Sequence, residues 1–181
     1  ELGDDVTASQ IIRDAIAQQH NIARPTISIT ALAQVNRAID KGDGGATIAI
    51  KRSEVDGVAG NIVAAWPGFV ETMFGIAIDI GSTTVAGHLI DLTTGEVMSS
   101  SGVMNPQIRF GEDLMSRVSF VMMNKGGEKE LTTVIRNAIN DLVHDLAEKA
   151  DIAPDKILEV VMVGNPIMHH ILLGIDPTPL G

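Results

Sequence analysis

The most informative part of the sequence is Phe74-Gly75-Ile76-Ala77-Ile78-Asp79-Ile80-Gly81-Ser82-Thr83-Thr84. Its apolar first half predicts a short buried strand that brings Asp79 to its carboxyl end, where ligands gather in open α/β sheets. Gly81 has no side chain, so the backbone there can approach a phosphate closely. Asp79 is the candidate catalytic carboxylate. It would hold Mg²⁺ through water, because this ion keeps several waters and needs only one or two carboxylates.

Three hydroxyl residues complete a candidate phosphate loop. Ser82, Thr83 and Thr84 supply hydroxyls and successive backbone N–H groups, a concave set of donors that suits phosphate oxygens. The same residues also fit a plain hairpin, in which Asp79 and Ser82 satisfy backbone groups of the turn. The motif alone leaves both interpretations open, and its surroundings favour the phosphate loop.

The segments that follow the loop predict an α/β layout. Strands are expected over residues 85–91 and 96–103, so that three strands form a meander. Helices at about 111–123 and 128–149 come next, and an apolar strand over 157–163 follows them. The apolar face of the first helix comprises Leu114, Val118, Val121 and Met122, and that of the second comprises Leu131, Ile135, Ala138, Leu142 and Leu146.

Gly164 and Asn165 form a second candidate binding element. They follow an apolar strand and precede a helix that has Pro166 in its first turn. If this strand pairs beside the strand that ends at Asp79, Asn165 faces the same crevice, and the helix N-terminus favours anionic groups. An ordinary turn asparagine before a proline explains the pair equally well, and both interpretations stay open.

For a third polar stretch the sequence favours a structural interpretation over a catalytic one. It comprises Asn105-Pro106-Gln107, Gly111-Glu112-Asp113 and Arg117. Paired carboxylates at a helix start usually complement the helix dipole, and Arg117 is predicted to pair with Asp113 at the i, i+4 spacing.

Residues 1–72 are predicted to form a small α+β domain without a chemical motif. Thr7 is expected to cap a first helix, and a second helix is expected at about residues 30–40. Strands over 46–51 and 58–65, joined by a loop at 53–57, follow these helices.

Composition excludes several classes of function. The 181 residues carry a net charge of −10, which argues against nucleic-acid binding. Neither a basic amphipathic stripe nor an apolar run of about 20 residues is present, so we expect no membrane association. There are no cysteines, which excludes disulfides and cysteine-ligated metal within this chain. A cytoplasmic location is expected.

Five groups of residues carry a family resemblance: Gly75 to Thr84, Asn105-Pro106-Gln107, Gly111-Glu112-Asp113 with Ser116-Arg117, Val163 to His170, and Leu173 to Pro177. The first group resembles the superfamily of acetate and sugar kinases, heat-shock cognate proteins and actin. All five together resemble the reductive activators of corrinoid proteins. The resemblance implies an α/β fold: residues 73–181 would be the first half of a ribonuclease-H-like, actin-like ATPase domain, preceded by residues 1–72 as the family's small middle domain.

The resemblance also implies a function for the complete protein. Such activators use ATP and Mg²⁺ to drive the one-electron reduction of cobalt(II) to cobalt(I) on a corrinoid protein of a methyltransferase system. The electron comes through an N-terminal [2Fe–2S] ferredoxin-like domain. Asp79, Gly81, Ser82, Thr83 and Thr84 would then form the first phosphate loop. A homodimer is left open.

This chain departs from the family pattern at both ends. The resemblance implies that the ferredoxin-like domain, which needs cysteines, lies outside these residues, and that the second phosphate loop and the adenosine-binding motif of the family do so as well. We therefore expect the chain alone to bind ATP weakly, if at all, and to reduce nothing. Two alternatives remain: a kinase of the same superfamily that acts on a sugar or small acid, and a non-enzymatic dimerisation or docking module.

Overall fold

The computed structural model describes residues 7–20, 22, 25–43, 45–52 and 60–181. The chain divides into two compact units, Glu1–Glu71 and Thr72–Gly181, each with its own core. No helix among the described residues is long and apolar enough to cross a membrane.

The first unit packs two helices on a three-stranded sheet. The sheet has the order β1-β3-β2, with β1 parallel and β2 antiparallel to the central strand. Its core contains Ile12 and Ile16 from the first helix and Val35 from the second. The elements are α1 (Ala8–His20), β1 (Thr26–Ile27), α2 (Ile29–Lys41), β2 (Ala46–Lys51) and β3 (Asn61–Pro67).

The sequence prediction for this unit holds in outline. Both helices are present, and Ser28 is the N-cap of α2, with its hydroxyl accepting a hydrogen bond from the Ala31 N–H at 3.1 Å. The short strand β1 was not predicted, because two residues leave no periodic pattern. The predicted loop at 53–57 and positions 58–59 of the predicted third strand lie outside the described residues.

The second unit contains a four-stranded sheet of order β6-β5-β4-β7. The first three strands form the predicted antiparallel meander, and β7 runs parallel to β4 at the edge of the sheet. The elements are β4 (Phe74–Ile80), β5 (Thr84–Asp91), β6 (Val97–Met104), α3 (Leu114–Met123), α4 (Gly127–Lys149), β7 (Ile157–Gly164) and α5 (Pro166–Leu173). The chain is thus a mixed α/β structure with two sheets.

One face of this second sheet is covered by helices. Alternate residues of β4, Ile76, Ile78 and Ile80, are buried in the core together with Leu142 and Leu146 of α4. Ala138 was predicted to be a core residue of α4, but it is only half-buried. Its neighbour Ile139 is buried instead, a shift of one residue. The opposite face of the sheet carries Asp79, which is exposed.

Candidate phosphate-binding site

The two predicted binding elements lie at the same end of the second sheet, where strands β4 and β7 finish. Strand β4 ends at Ile80, and its partner in the parallel register is Gly164, the last residue of β7. The chain therefore leaves the two neighbouring strands side by side, towards Gly81 in one case and Asn165 in the other. This pairing meets the condition on which the prediction for Asn165 depended.

Asp79 faces away from the helix-covered core. Its register partners are Ala86 on β5 and Val163 on β7, so the carboxylate is flanked by apolar side chains on the open face of the sheet. The carboxylate makes no hydrogen bond or ion pair within the part of the chain that the structure describes. No group of three or more His, Cys, Asp or Glu among those residues could hold a metal ion. The Asp79 carboxylate is therefore free to accept hydrogen bonds from water, as a water-mediated Mg²⁺ site requires.

The turn between β4 and β5 requires a glycine. The Gly81 N–H donates to the Thr84 carbonyl at 3.0 Å. A Cβ at Gly81 would lie only 2.6 Å from that same carbonyl oxygen, a distance that real Cβ atoms do not tolerate. From the sequence, a glycine is expected at position 81 so that a phosphate can approach the backbone closely. The geometry of the turn is a second reason for a glycine there.

Substitution of Gly81 gives a direct test of the loop. We expect Gly81→Ala to weaken MgATP binding by the complete protein about tenfold, because overlaps of this kind cost about 1–3 kcal/mol to relieve. Gly102→Ala on β6 is the matched control: its Cβ would meet the nearest atom, the Val85 carbonyl oxygen, at an ordinary 3.6 Å. Calorimetry measures both affinities. Equal affinities for the two variants would contradict the prediction.

The buried residues Asn105 and Arg117 donate hydrogen bonds to the loop from the protein interior. The Asn105 side-chain amide donates to the Gly81 carbonyl at 2.9 Å, and the Asn105 backbone N–H donates to the Thr83 carbonyl at 2.8 Å. The carbonyl between them, that of Ser82, accepts a hydrogen bond from Arg117 Nη2. Three successive carbonyls of the loop therefore point into the protein.

Arg117 corrects a sequence prediction. It was predicted to pair with Asp113, but its guanidinium turns inward and is fully buried. Its Nε donates to the Gly111 carbonyl at 3.1 Å, and Nη1 lies 3.4 Å from Gln107 Oε1. Burial lowers the pKa of Arg117, while the Asp113 charge opposes that shift. The polar stretch for which the sequence favours a structural role at helix α3 thus contacts the loop directly.

Asp113 instead forms the N-cap of α3. Its carboxylate accepts a hydrogen bond from the Ser116 N–H at 2.7 Å, and this bond holds the pKa of Asp113 below its ordinary value. A carboxyl whose pKa is lower in the folded chain stabilises the fold above its unfolded pKa, and that stabilisation is lost as the pH falls through the folded pKa.

Asp113→Asn separates this charge from the cap. The amide oxygen can still accept the hydrogen bond, but it does not titrate. We expect wild type to have the higher Tm at pH 7, and the difference to shrink as the pH falls through the lowered folded-state pKa of Asp113. Thermal unfolding followed by circular dichroism checks this, and a pH-independent difference would count against it.

Asn165 caps helix α5. Its side-chain oxygen accepts a hydrogen bond from the Met168 N–H at 3.0 Å, which leaves its amide group without an acceptor among the described residues. Gly164 allows β7 to approach β4 closely, since a Cβ there would lie 3.1 Å from the Ile80 carbonyl oxygen. Asn165 thus caps a helix, as the turn interpretation requires, and its unbonded amide is equally compatible with the binding interpretation.

Comparison with known proteins places this unit in a family. A family model described as the RACo middle region matches residues 74–181. The chain belongs to that family. The RACo middle region thus includes the loop, its buried support and helix α5, and the resemblance to corrinoid activators drawn from the sequence is confirmed.

Two relatives extend this comparison. The chain is 32% identical over 109 residues to the corrinoid activation enzyme RamQ of Eubacterium limosum, a match that covers 60% of this chain and 18% of that protein. It is also similar to the solved structure of a reductive activator for corrinoid, iron-sulfur protein. That match has a TM-score of 0.77 and 28% identity, and it covers 98% of this chain and 28% of that one. The chain therefore spans less than a third of either relative.

Proposed function

We propose that the complete protein is an ATP-dependent reductive activator of a corrinoid protein, and that residues 79–84 form its first phosphate loop. The observation that carries the proposal is that unbonded donors and an unbonded carboxylate occur together at the carboxyl end of β4. The Ser82 and Thr83 N–H groups donate to no acceptor among the described residues, and the nearby Asp79 carboxylate is unpaired. Donors for phosphate oxygens and an acceptor for metal-bound water lie together in a chain of the RACo middle region family.

The residues of this chain would bind and orient the nucleotide. The N–H groups and hydroxyls of Ser82, Thr83 and Thr84 would take phosphate oxygens, as successive backbone donors do in concave anion sites. Asp79 would accept hydrogen bonds from water on Mg²⁺, and the ion when bound neutralises phosphate charge. The amide of Asn165 would contact the same phosphates from the β7 side.

The remaining parts of the activity belong to other parts of the protein. A [2Fe–2S] domain would donate one electron to cobalt(II) and yield cobalt(I) on the partner corrinoid protein. Binding and hydrolysis of ATP to ADP and phosphate would change how the activator holds that partner. In this proposal residues 73–181 are the first half of an actin-like, sugar-kinase-like domain, and residues 1–72 form the separate α+β domain before it.

The test uses the complete protein with a cobalt(II) corrinoid protein and a low-potential reductant. The cobalt(I) absorbance band is followed with and without MgATP, and ATP-dependent appearance of cobalt(I) is the expected result. Absence of cobalt(I) while ATP is still hydrolysed would overturn the proposal. Phosphoryl transfer to a panel of sugars and short acids would then test the kinase alternative.

A further inference from the structure

We propose that Arg117 is a positioning residue: it fixes the peptide groups of the phosphate loop so that their N–H groups face the nucleotide. The inference rests on the proposed function for its ligand, but its structural part can be tested without nucleotide. Three observations support it: the direction of the loop carbonyls, the burial of the guanidinium, and its contact with Met168 in the helix that Asn165 caps.

The direction of the carbonyls determines the direction of the N–H groups. In a planar trans peptide the C=O of one residue and the N–H of the next point in opposite directions. Because the Gly81 and Ser82 carbonyls bond to Asn105 and Arg117 inside the protein, the N–H groups of Ser82 and Thr83 must point outward. The two unused donors are therefore a consequence of the two buried hydrogen bonds.

The charge on Arg117 strengthens one of these donors. A cation bonded to the Ser82 carbonyl polarises the peptide that links Ser82 to Thr83, and hydrogen bonds joined through one peptide reinforce each other in a low-dielectric interior. The side chain is fully buried, with only neutral acceptors in Gly111, Gln107 and Ser82. Burying a cation without a carboxylate in contact is costly, and orientation of an anion-binding loop accounts for that cost.

The same guanidinium contacts helix α5, which Asn165 caps. Arg117 Nη1 lies 3.4 Å from Met168 Sδ, and the Met168 N–H donates to Asn165. The loop after β4 and the segment after β7 are thus held by one side chain. Replacing Arg117 should therefore disturb both candidate phosphate contacts and leave the affinity for adenosine unchanged. Replacing a residue that matters only for packing should instead change the affinities for MgATP and adenosine alike.

The experiment compares Arg117→Met and Arg117→Lys in the complete protein with the matched control Arg136→Lys. Arg136 also donates to a carbonyl, that of Leu172 at 2.9 Å, but from the surface of α4. Calorimetry measures the affinities for MgATP and for adenosine. We expect both Arg117 variants to lose about tenfold or more in MgATP affinity while adenosine affinity stays within about twofold, since only phosphate contacts are disturbed. Parallel loss of both affinities, or loss of neither, would overturn the inference.

A nucleotide-free measurement separates this inference from the proposed function. The Gly81 and Asn105 amides donate to the Thr84 and Thr83 carbonyls, so their hydrogen exchange reports the order of the loop. We expect exchange about tenfold faster in Arg117→Lys, which retains the charge and keeps the test valid if Arg117→Met does not fold. Wild-type protection in that variant would refute the positioning role. Faster exchange with no MgATP binding by wild type would refute only the proposed function.

Discussion

Asp79→Asn is expected to lower MgATP-dependent formation of cobalt(I) by the complete protein about 100-fold, because losing a metal-holding carboxylate removes several kcal/mol of charge stabilisation. The substitution keeps the size of the side chain but removes its negative charge. Asp79 is exposed on the open face between Ala86 and Val163 and has no partner among the described residues, so folding should be little affected. The cobalt(I) absorbance band measures the rate.

The matched control is Asp155→Asn. Asp155 is also exposed, but it precedes β7 at the opposite end of the sheet from the loop. We expect this variant to retain wild-type rates. Unchanged partner affinity and unchanged nucleotide dependence in Asp79→Asn would favour a docking module, and a rate within twofold of wild type would remove Asp79 from the proposed mechanism.

The fold of the second unit was largely predictable because its signals are local. Strand β4 is a short apolar run that stops at a glycine, and α4 shows apolar residues at spacings of three and four. The buried position assigned to Ala138 belongs to Ile139, since the α-helical period of 3.6 fits either residue and packing decides between them. Strand β1 was missed because its two residues pair with a strand more than 30 positions away.

The location of the candidate site was predictable from the sequence, but the buried hydrogen bonds that hold its loop were not. The loop and Asn165 could be located because both follow strands, and the register between Ile80 and Gly164 brings them together. The role of Arg117 depended on contacts with Ser82, Gln107 and Gly111, and no local spacing encodes where a long side chain points.

One signal for Arg117 was present in the sequence. The residue lies three positions after Leu114 and four before Val121, on the predicted apolar face of helix α3. A cation on a buried helix face is unusual unless it has buried acceptors. The pairing with Asp113 at i, i+4 explained the charge locally and obscured this alternative.

The largest stability effect is expected from Leu142→Ala, which should destabilise the second unit by about 3 kcal/mol through lost burial and the cavity left behind. Leu142 is fully buried and packs over Gly87, at the centre of β5: a Cβ at Gly87 would lie 3.2 Å from Leu142 Cδ2. The backbone of β5 cannot easily move into the space, because it is paired on both sides with β4 and β6. Most of the cavity should therefore remain open.

The single tryptophan, Trp66, lies in the first unit, so its fluorescence is a poor probe of this change. Hydrogen exchange resolved by peptide reports β4 and β5 directly, and a loss of about 3 kcal/mol corresponds to exchange roughly 100-fold faster. Leu173→Ala is the control, since this leucine of α5 is 63% exposed and its truncation should change exchange by less than about threefold. Similar exchange in the two variants would contradict the prediction. It would mean that β5 moves towards α4 and fills the cavity, despite its pairing with β4 and β6.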